Sequence, residues 1–396
     1  MEIIADLHLH GKYSRACSKD LTIQNLEKYA KIKGINLLGT GDFTHPSWLK
    51  HLKENLTETE KGIYSTKTGQ NFILSTEISL VFSQNGKGRK VHLITLAENF
   101  GVVEQIIELL KKKGRVDYDG RPIFGISCVE FVEMMMSIDK NIEVIPAHAW
   151  TPWFGVFGSM SGFDSLEECF REKTKHIHAI ETGMSSDPQM NWRISKLDNI
   201  SLLSFSDSHS FWPWRIGREA TVFQCDLNYE EIINAIRTKK GLKMTIEVDP
   251  AYGKYHYTGH RNCNVCLPPK EAIKIKNICP VCKTPLTIGV LQRVEELADR
   301  PENFVPKNAI PFKSMLPLSE IIALGSGAKV ATKKNWSIYF KLVNNFGTEM
   351  NVLLNAEEEK IKFLVGEKIA NLIIKNRNNQ IKVKAGCDGN YGTPLL

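Results

Sequence analysis

The sequence predicts an α/β fold: a barrel of about seven βα units, then a cysteine-rich segment, then a helical region. Over roughly the first 245 residues, short runs rich in Ile, Leu and Val alternate with amphipathic helical stretches. Repeated βα units indicate parallel strands, and about seven of them favour a closed barrel. Near residue 250 the chain becomes rich in Gly, Pro and Cys, and a helical pattern returns after residue 286.

The length of 396 residues favours two or three domains. We expect the barrel to occupy residues 1–245, a zinc-binding module residues 246–300 and a small helical domain residues 301–396.

The strand-like runs and the helices between them can be placed individually. One helix is predicted to begin after Thr22, which can cap it, and to end at Gly34. Another ends in three lysines and Gly114, as suits the negative end of a helix dipole. The predicted strands lie in residues 2–10, 35–43, 72–82, 90–97, 143–150, 176–183 and 201–210.

Composition restricts the class of protein only mildly. Hydrophobic content of 42% and charged content of 24% are ordinary for a globular protein, and no apolar run has the length of a membrane span. The N-terminus lacks the pattern of a secretory signal, so we expect a cytoplasmic, nucleoid-associated location. A net charge of +7 permits an anionic partner without requiring one.

Histidines and carboxylates recur where the predicted strands end. His8 and His10 stand two apart, as do Asp207 and His209, and residues i and i+2 of a strand face the same side. Strand ends converge at the mouth of a βα barrel, and such donors suit Zn, Mn or Fe in an open site. A single strand histidine would more often be structural, but the whole set favours a metal site. The other candidate ligands are Asp42, His45, Glu77, His92 and His148.

Two similar features are predicted to lie outside this ligand set. His176 and His178 begin a strand, away from the mouth, and are interpreted as structural. Glu181, at the other end of the same strand, is placed to touch a substrate.

Nine cysteines include two CxxC pairs with the spacing C-x₂-C-x₁₂-C-x₂-C, typical of a structural zinc site. An odd number of cysteines argues against a disulfide framework. A pair of redox dithiols is less favoured because no thioredoxin-like pattern surrounds them, and His256 and His260 are reserve ligands. The predicted zinc ligands are Cys263, Cys266, Cys279 and Cys282.

The motifs DLHLH, GDFTH, PAHAW and SDSH, with Glu77 and His92, resemble the PHP (polymerase and histidinol phosphatase) superfamily. The resemblance implies a distorted seven-stranded barrel that holds two to three divalent metals, zinc first, with magnesium or manganese as alternatives. The usual Thr-Asp-His motif is replaced here, since Phe43 follows Asp42, and this departure concerns the third metal.

The same resemblance implies roles in phosphodiester cleavage. Glu77 would bridge two metals, and Asp207 would complete the ring that activates water. His209 would bind a third metal or protonate the leaving group.

Aromatic and basic residues crowd the predicted mouth loops and are candidate DNA contacts, although each aromatic ring could instead seal the barrel. In the C-terminal region, LVGEKIANLI resembles a helix-hairpin-helix module, in which a hairpin glycine lets backbone amides bind DNA phosphate; a plain helix cap is the alternative. The candidate DNA contacts are Trp192, Arg193, Trp212, Trp214, Arg215, Arg218, Gly366 and Lys368.

Taken together, these segments resemble the endonuclease Q family over nearly the whole chain, through SRACSKDLT, FGSMSGFDSLEE, WPWRIGREA and GVLQRVEELADRP among others. The resemblance implies nicking on the 5′ side of uracil, hypoxanthine, xanthine or abasic sites in double- or single-stranded DNA, leaving a 3′-hydroxyl and a 5′-phosphate. No clamp-binding motif is apparent. The alternatives are a histidinol-phosphatase-like phosphatase and a non-catalytic DNA-binding module.

Overall fold

A mixed sheet of eleven strands forms the centre of the protein in a computed structural model that describes residues 1–395. Each of the seven predicted runs contains a strand, and further strands were not predicted. The strands are β1 (Glu2–Asp6), β2 (Leu37–Gly39), β3 (Thr57–Glu60), β4 (Ile63–Ser65), β5 (Asn71–Gln84), β6 (Lys87–Ala97), β7 (Ile123–Phe124), β8 (Glu143–Pro146), β9 (Ala179–Glu181), β10 (Ser201–Leu203), β11 (Ala220–Gln224), β12 (Leu242–Glu247), β13 (Thr258–His260), β14 (Val265–Leu267), β15 (Phe312–Ser314), β16 (Val383–Lys384) and β17 (Thr393–Pro394).

Helices cover the sheet and make up most of the C-terminal region. The helices are α1 (Ile23–Lys33), α2 (Pro46–Asn55), α3 (Phe100–Lys111), α4 (Cys128–Ile138), α5 (Leu166–Phe170), α6 (Pro188–Asn191), α7 (Tyr229–Thr238), α8 (Pro269–Lys274), α9 (Val290–Leu297), α10 (Leu318–Ser326), α11 (Lys333–Phe346), α12 (Glu349–Leu354), α13 (Glu358–Val365) and α14 (Glu367–Arg377). None of these helices has the length and apolarity needed to cross a membrane.

The sheet is not uniformly parallel, which corrects the expectation drawn from alternating strands and helices. Its order is β15-β12-β11-β1-β2-β5-β4-β3, with β6 and β7 also paired to β5 and β8 paired to β6. β1 runs parallel to β2 but antiparallel to β11, and β5, β6 and β8 form antiparallel pairs. The long β5–β6 hairpin is joined by a short turn rather than by a helix, and antiparallel pairing follows from that. β9 and β10 form a separate parallel pair.

Local sequence determines where helix α1 begins and ends. The Thr22 side chain accepts a hydrogen bond from the backbone N of Asn25, and Gly34 ends the helix at φ 94°. Only glycine adopts that left-handed conformation without strain, so the predicted start and stop are both confirmed. The helix turns Leu26 and Ala30 into the core.

The helical region, α10–α14, is not a separate layer. Strand β15 precedes it and pairs in parallel with β12, which extends the central sheet. A buried ion pair also joins α1 to the helical region. Lys33 of α1 donates to Glu349 of α12 at 2.7 Å, and both side chains are almost fully buried. The pairing of β15 with β12 and the Lys33–Glu349 ion pair therefore attach the helical region to the rest of the protein.

A buried carboxylate pair lies under the ends of β9–β12. Glu247 is fully buried and accepts hydrogen bonds from the hydroxyls of Thr182, Ser204 and Thr245. Burial raises the pKa of Glu247 to about 8 from its ordinary value of 4.5, and burial together with Glu247 raises the pKa of Glu219 well above its usual range.

This pair should make the protein less stable as the pH rises. The folded pKa of Glu247 exceeds its unfolded value, so its contribution is complete below about pH 4.5 and is lost as the pH rises through about 8. We expect Glu247→Gln, which mimics the protonated acid, to melt on the order of 5 °C higher than the wild type at pH 9 and about equally at pH 5. Melting curves at both pH values check this result. The exposed Glu302→Gln is the control, and equal behaviour of the two variants at pH 9 would contradict the prediction.

Candidate metal centre and its mouth

Two groups of metal-ligating side chains share one carboxylate, Glu77 on β5. The ligand atoms of the first group lie within 4.8 Å of one another, and so do those of the second. Glu77 is therefore the one carboxylate that both groups have in common. The first group is His8, His10, Glu77 and Asp207, and the second is Glu77, His92 and His148.

Members of both groups lie close to the two carboxylate oxygens of Glu77. Oε1 lies 2.8 Å from Nδ1 of His92 and 3.1 Å from Nε2 of His148. Oε2 lies 3.4 Å from Nε2 of His10 and accepts a hydrogen bond from Nη1 of Arg121 at 2.9 Å. Glu77 itself is fully buried.

Electrostatics keep the two carboxylates of the first group ionised. Burial alone would raise their pKa values, but His92, Arg121 and His8 hold the pKa of Glu77 well below its usual range. His8 and the hydrogen bond to His10 likewise lower the pKa of Asp207. The site therefore presents anionic oxygens to a cation throughout the neutral range.

Two further carboxylates orient the histidines of the first group. Glu181 accepts from Nδ1 of His8 at 2.9 Å, and Asp42 accepts from Nδ1 of His10 at 3.0 Å. A carboxylate can only accept, so each Nδ1 carries the proton and each Nε2 is turned toward the shared centre. Glu181 also accepts from the backbone N of His148 at 2.6 Å, so it holds members of both groups.

A buried histidine nitrogen without a hydrogen-bond partner within residues 1–395 indicates that these side chains fit a metal ion. Nε2 of His8 is buried and has no hydrogen-bond partner among the described residues, although it points between Glu77 and Asp207 at 3.6 Å from each. An imidazole nitrogen left unpaired between two carboxylates is unfavourable unless a cation completes it.

Three residues of the site have left-handed backbone conformations two to four residues after the ends of β2, β8 and β10. The φ angles are 48° for Asp42, 30° for His148 and 46° for Asp207. Such angles are costly for residues other than glycine and persist where the surroundings enforce them, which is common at functional sites.

Asp42, His45 and His209, which were also predicted as metal ligands, lie outside these two groups, and their role as ligands stays a prediction. Asp42 accepts a hydrogen bond from His10. His45 stands at the N-cap position of α2, where its side chain makes no capping hydrogen bond, and stacks on Tyr13 with ring centroids 4.4 Å apart. The His209 ring lies 4.4 Å from that of His10, beside the first group but outside it. Within residues 1–395 these three side chains form no third barrel group.

Two cavities open onto the metal centre. The first, of about 590 Å³, is lined by His92 and His148 and by the aromatic residues Trp153, Phe154 and Tyr255. The second, of about 610 Å³, lies on the His209 side. Both cavities are lined by Asp207, Arg218, Lys254 and Tyr391.

Solved structures with the same fold carry closely related sequences. The lesion-specific endonuclease PfuEndoQ of Pyrococcus furiosus matches with a TM-score of 0.89 and 32% identity, over 100% of this chain and 96% of that chain. Endonuclease Q in complex with a 27-mer duplex that has an abasic lesion at the active site matches with a TM-score of 0.90 and 32% identity, over 100% and 97% of the two chains. The chain belongs to the endonuclease Q family.

Sequence relatives of this endonuclease Q family member include two proteins without an assigned function. Uncharacterized protein MJ0043 of Methanocaldococcus jannaschii is 33% identical over 285 residues, which span 70% of this chain but only 34% of that protein. Uncharacterized protein YqxK of Bacillus subtilis is 28% identical over 415 residues, 99% of this chain and 98% of that one. Residues 317–380 match the family described as the MJ0043 C-terminal domain.

In this endonuclease Q family member, Trp212 and Trp214 pack against the helical region but remain partly exposed, and their role as DNA contacts stays a prediction. Their rings stack in parallel with centroids 5.2 Å apart. Trp336 of α11 packs against them at 5.8 and 5.4 Å. The pair therefore fills the boundary between the sheet and the helical region, because large aromatic surfaces gain most when removed from water.

Trp192 and Arg193 also make contacts within the protein, Trp192 partly exposed and Arg193 buried, and their role as DNA contacts stays a prediction. Arg193 is buried and donates from both terminal nitrogens to Glu295 of α9, at 2.8 and 3.0 Å. Trp192 packs edge-on against Phe312 and lines a separate cavity of about 280 Å³. The two residues therefore contact α9 and β15, which follow the cysteine-rich segment.

The remaining DNA candidates also stay predictions, and their positions agree with that role. Arg215 and Arg218 line the second cavity beside Asp207. Gly366, at φ 81°, separates α13 from α14, and both Gly366 and Lys368 are exposed at that hairpin.

The predicted Cys₄ zinc set is wrong in one member. Cys263, Cys279 and Cys282 gather with His260, while Cys266 forms a disulfide with Cys387. In the β13–β14 hairpin His260 is paired with Val265 and Cys266 with Gly259, so Cys266 faces the opposite side from His260. The reserve ligand His260 therefore takes its place, and one disulfide is present although the cysteine count argued against a disulfide framework.

The cluster is chemically suited to zinc. The hydroxyl of Thr284, 3.1 Å from Sγ of Cys282, is the main cause that lowers the pKa of this thiol to about 6. A thiolate is the form that binds zinc, and three thiolates with one imidazole make a closed tetrahedral set.

We expect His260→Ala to lose one zinc per chain relative to the wild type, and Cys266→Ser to retain it. The ligand geometry predicts this contrast, because His260 lies in the cluster and Cys266 does not. Metal content after challenge with a chelator measures the result. Loss of zinc in Cys266→Ser with retention in His260→Ala would restore the original Cys₄ assignment.

Neither Arg121 nor the orienting role of Glu181 was predicted. Arg121 stands in a loop without a recognisable motif, and only the fold brings it to Glu77. Glu181 was expected at the substrate, yet it is fully buried behind His8. Its position at a strand end was the only signal available.

Proposed function

We propose that this protein is a metal-dependent DNA repair endonuclease. It nicks the phosphodiester on the 5′ side of deaminated bases (uracil, hypoxanthine, xanthine) and of abasic sites, leaving a 3′-hydroxyl and a 5′-phosphate. The observation that carries the proposal is Glu77, shared by two ligand groups beneath an open mouth. The related structure that holds an abasic-lesion duplex at its active site supports DNA as the substrate.

Two or three divalent metals, zinc first, would be held here, and when bound they would lower the pKa of a water and stabilise the leaving oxyanion. His8, His10 and Asp207 would hold one of them, His92 and His148 another, and Glu77 would touch both. Glu181 and Asp42 would keep the imidazoles aimed at the centre.

The first cavity suits the damaged nucleoside. Its volume of about 590 Å³ and its rings, Trp153, Phe154 and Tyr255, offer flat surfaces to an extruded base or sugar beside the metal centre. Arg218 and Lys254 stand at the same mouth and would face the phosphates. Extrusion is least costly at mispaired or abasic positions, and this supports selectivity for lesions.

We also propose the domain division predicted above: a PHP-type distorted (β/α)₇ barrel in residues 1–245, a zinc module in residues 246–300 and a DNA-binding helical domain in residues 301–396. The exposed hairpin around Gly366 supports the helix-hairpin-helix role, since its glycine leaves the α14 N-terminus open to phosphate.

The test is a 5′-labelled duplex with a single uracil, incubated with Mg²⁺ or Mn²⁺ and resolved on a denaturing gel. The expected product ends in a 3′-hydroxyl on the 5′ side of the uracil. Matched duplexes with hypoxanthine, an abasic site or no lesion define the substrate range. Turnover of p-nitrophenyl phosphate or histidinol phosphate without DNA nicking would instead identify a small-molecule phosphatase.

Asp207→Asn is the matched variant for that assay. It removes one of the two anionic ligands of the first group, so we expect nicking to fall to background while binding to the uracil duplex persists. Binding is measured by fluorescence anisotropy. Nicking by Asp207→Asn at the wild-type rate would refute the proposed site.

A further inference from the structure

The C-terminal tail (residues 381–395) leaves the helical region and folds back across the metal-centre mouth. The backbone N of Gly386 donates to the carbonyl O of Ala251 at 2.8 Å, and that of Gly392 donates to Tyr252 at 3.0 Å. These bonds set the tail alongside the segment that follows β12. The tail lies beyond residues 317–380, which match the described C-terminal family.

Two glycines allow this close approach. A Cβ atom at Gly386 would overlap the carbonyl O of Gly253, and one at Gly392 would overlap that of Ala251. No other residue type fits these positions without moving the backbone, so the sequence of the tail is adapted to this contact.

Two additional anchors hold the turn between these glycines. Cys387 is joined by a disulfide to Cys266 of β14, and the Asp388 carboxylate accepts from the backbone N of Arg261 at 2.7 Å. The tail is thus secured on both sides of Tyr391, which follows the turn directly.

Tyr391 reaches the mouth and divides it. Its side chain is 44% exposed, and Nζ of Lys254 lies 4.7 Å from its ring centroid. Tyr391 and Lys254 line both the aromatic cavity of about 590 Å³ and the second cavity of about 610 Å³. They therefore form a ridge between two cavities that meet at Asp207.

The two cavities differ in chemistry. The first is walled by aromatic rings, whereas the second contains Arg215 and the polar residues Ser18 and Ser210. A strand whose phosphate lies at Asp207 would place one nucleotide in the first cavity and the preceding nucleotide over the ridge toward the second. An exposed tyrosine ring beside a cation suits a base that must remain stacked next to an extruded neighbour.

We infer that Tyr391 is a substrate-contacting residue, presented by the C-terminal tail, whose ring stacks on the base immediately 5′ of the lesion. Lys254 holds the ring in place and faces the phosphate on the same side. This inference rests on the proposed function, because it takes the lesion nucleotide to occupy the first cavity.

The test compares Tyr391→Ala and Tyr391→Phe with Thr393→Ala, an exposed position of the same tail that lines neither cavity. The uracil duplex carries 2-aminopurine directly 5′ of the uracil. The fluorescence of 2-aminopurine falls when this base stacks on an aromatic ring. We expect quenching on binding by the wild type, Tyr391→Phe and Thr393→Ala, and its loss in Tyr391→Ala. Affinity of Tyr391→Ala for the uracil duplex should fall about tenfold, and its affinity for the undamaged duplex should change little.

Equal metal content and melting temperature establish that the variants are folded. Tyr391→Ala that quenches, binds and nicks like Thr393→Ala overturns the inference while leaving the endonuclease assignment intact. A wild-type protein that does not nick the uracil duplex instead overturns the proposed function. Weakened binding by Tyr391→Phe to the same extent as by Tyr391→Ala would also contradict the inference, since the phenylalanine ring can still stack.

Discussion

Glu77→Gln should reduce nicking of a uracil duplex by more than about a thousandfold. The change keeps the shape of the side chain but removes the charge that both ligand groups share, so both metal positions are weakened together. Single-turnover nicking measures the rate, and titration calorimetry with Mn²⁺ measures the metal affinity.

Glu181→Gln is the matched control for Glu77. Glu181 contacts His8 and the backbone of His148 without joining either ligand group, and loss of such an orienting partner typically costs about 10- to 100-fold. A Glu77→Gln defect no larger than that of Glu181→Gln would argue against Glu77 as the shared ligand.

Lys33→Met should lower the free energy of unfolding by about 3–5 kcal/mol, because it leaves the Glu349 carboxylate buried without its cation. In the wild type, Glu349 accepts from Lys33 at 2.7 Å, from the backbone N of Leu318 at 2.9 Å and from the hydroxyl of Tyr339 at 2.6 Å. Nζ of Lys33 also donates to the carbonyl O of Pro213 at 2.7 Å, in the loop that carries the tryptophan pair. Urea unfolding followed by tryptophan fluorescence measures the loss.

The double variant Lys33→Met/Glu349→Gln separates charge from packing. It removes both charges and keeps an acceptor for Leu318, so much of the lost stability should return. Recovery of less than about a quarter would mean that the lysine acts through its methylene chain rather than through the ion pair.

Most of the candidate metal ligands could be predicted from the sequence, because side chains two residues apart in a strand point to the same side. His8 and His10 meet that condition next to β1, and strand ends gather at a common mouth. Glu77 and His92 were predicted from their positions within strands, and His148 and Asp207 from strand ends, and all four lie in the two groups. His45 was also placed near a strand end, yet it lies outside both groups, because it is the N-cap residue of α2 and its ring stacks on Tyr13.

Partners that come from distant segments could not be found in this way. Arg121 reaches Glu77 from a loop 44 residues away, and Glu181 reaches His8 from 173 residues away. Cys266 lies outside the zinc cluster because of the side of a three-residue strand that it faces. Its disulfide partner, Cys387, comes from the C-terminal tail, 121 residues away.

The sequence by itself determined the alternation of strands and helices, the metal-ligand series and the two CxxC pairs, because these follow from short-range period and spacing. Tertiary structure alone decided the direction of strand pairing, the packing of Trp212 and Trp214 against Trp336, and the exchange of Cys266 for His260. It also brought Tyr391 to the mouth. Those outcomes depend on which surfaces of distant segments fit together, and packing between such segments leaves no periodic signal in the chain.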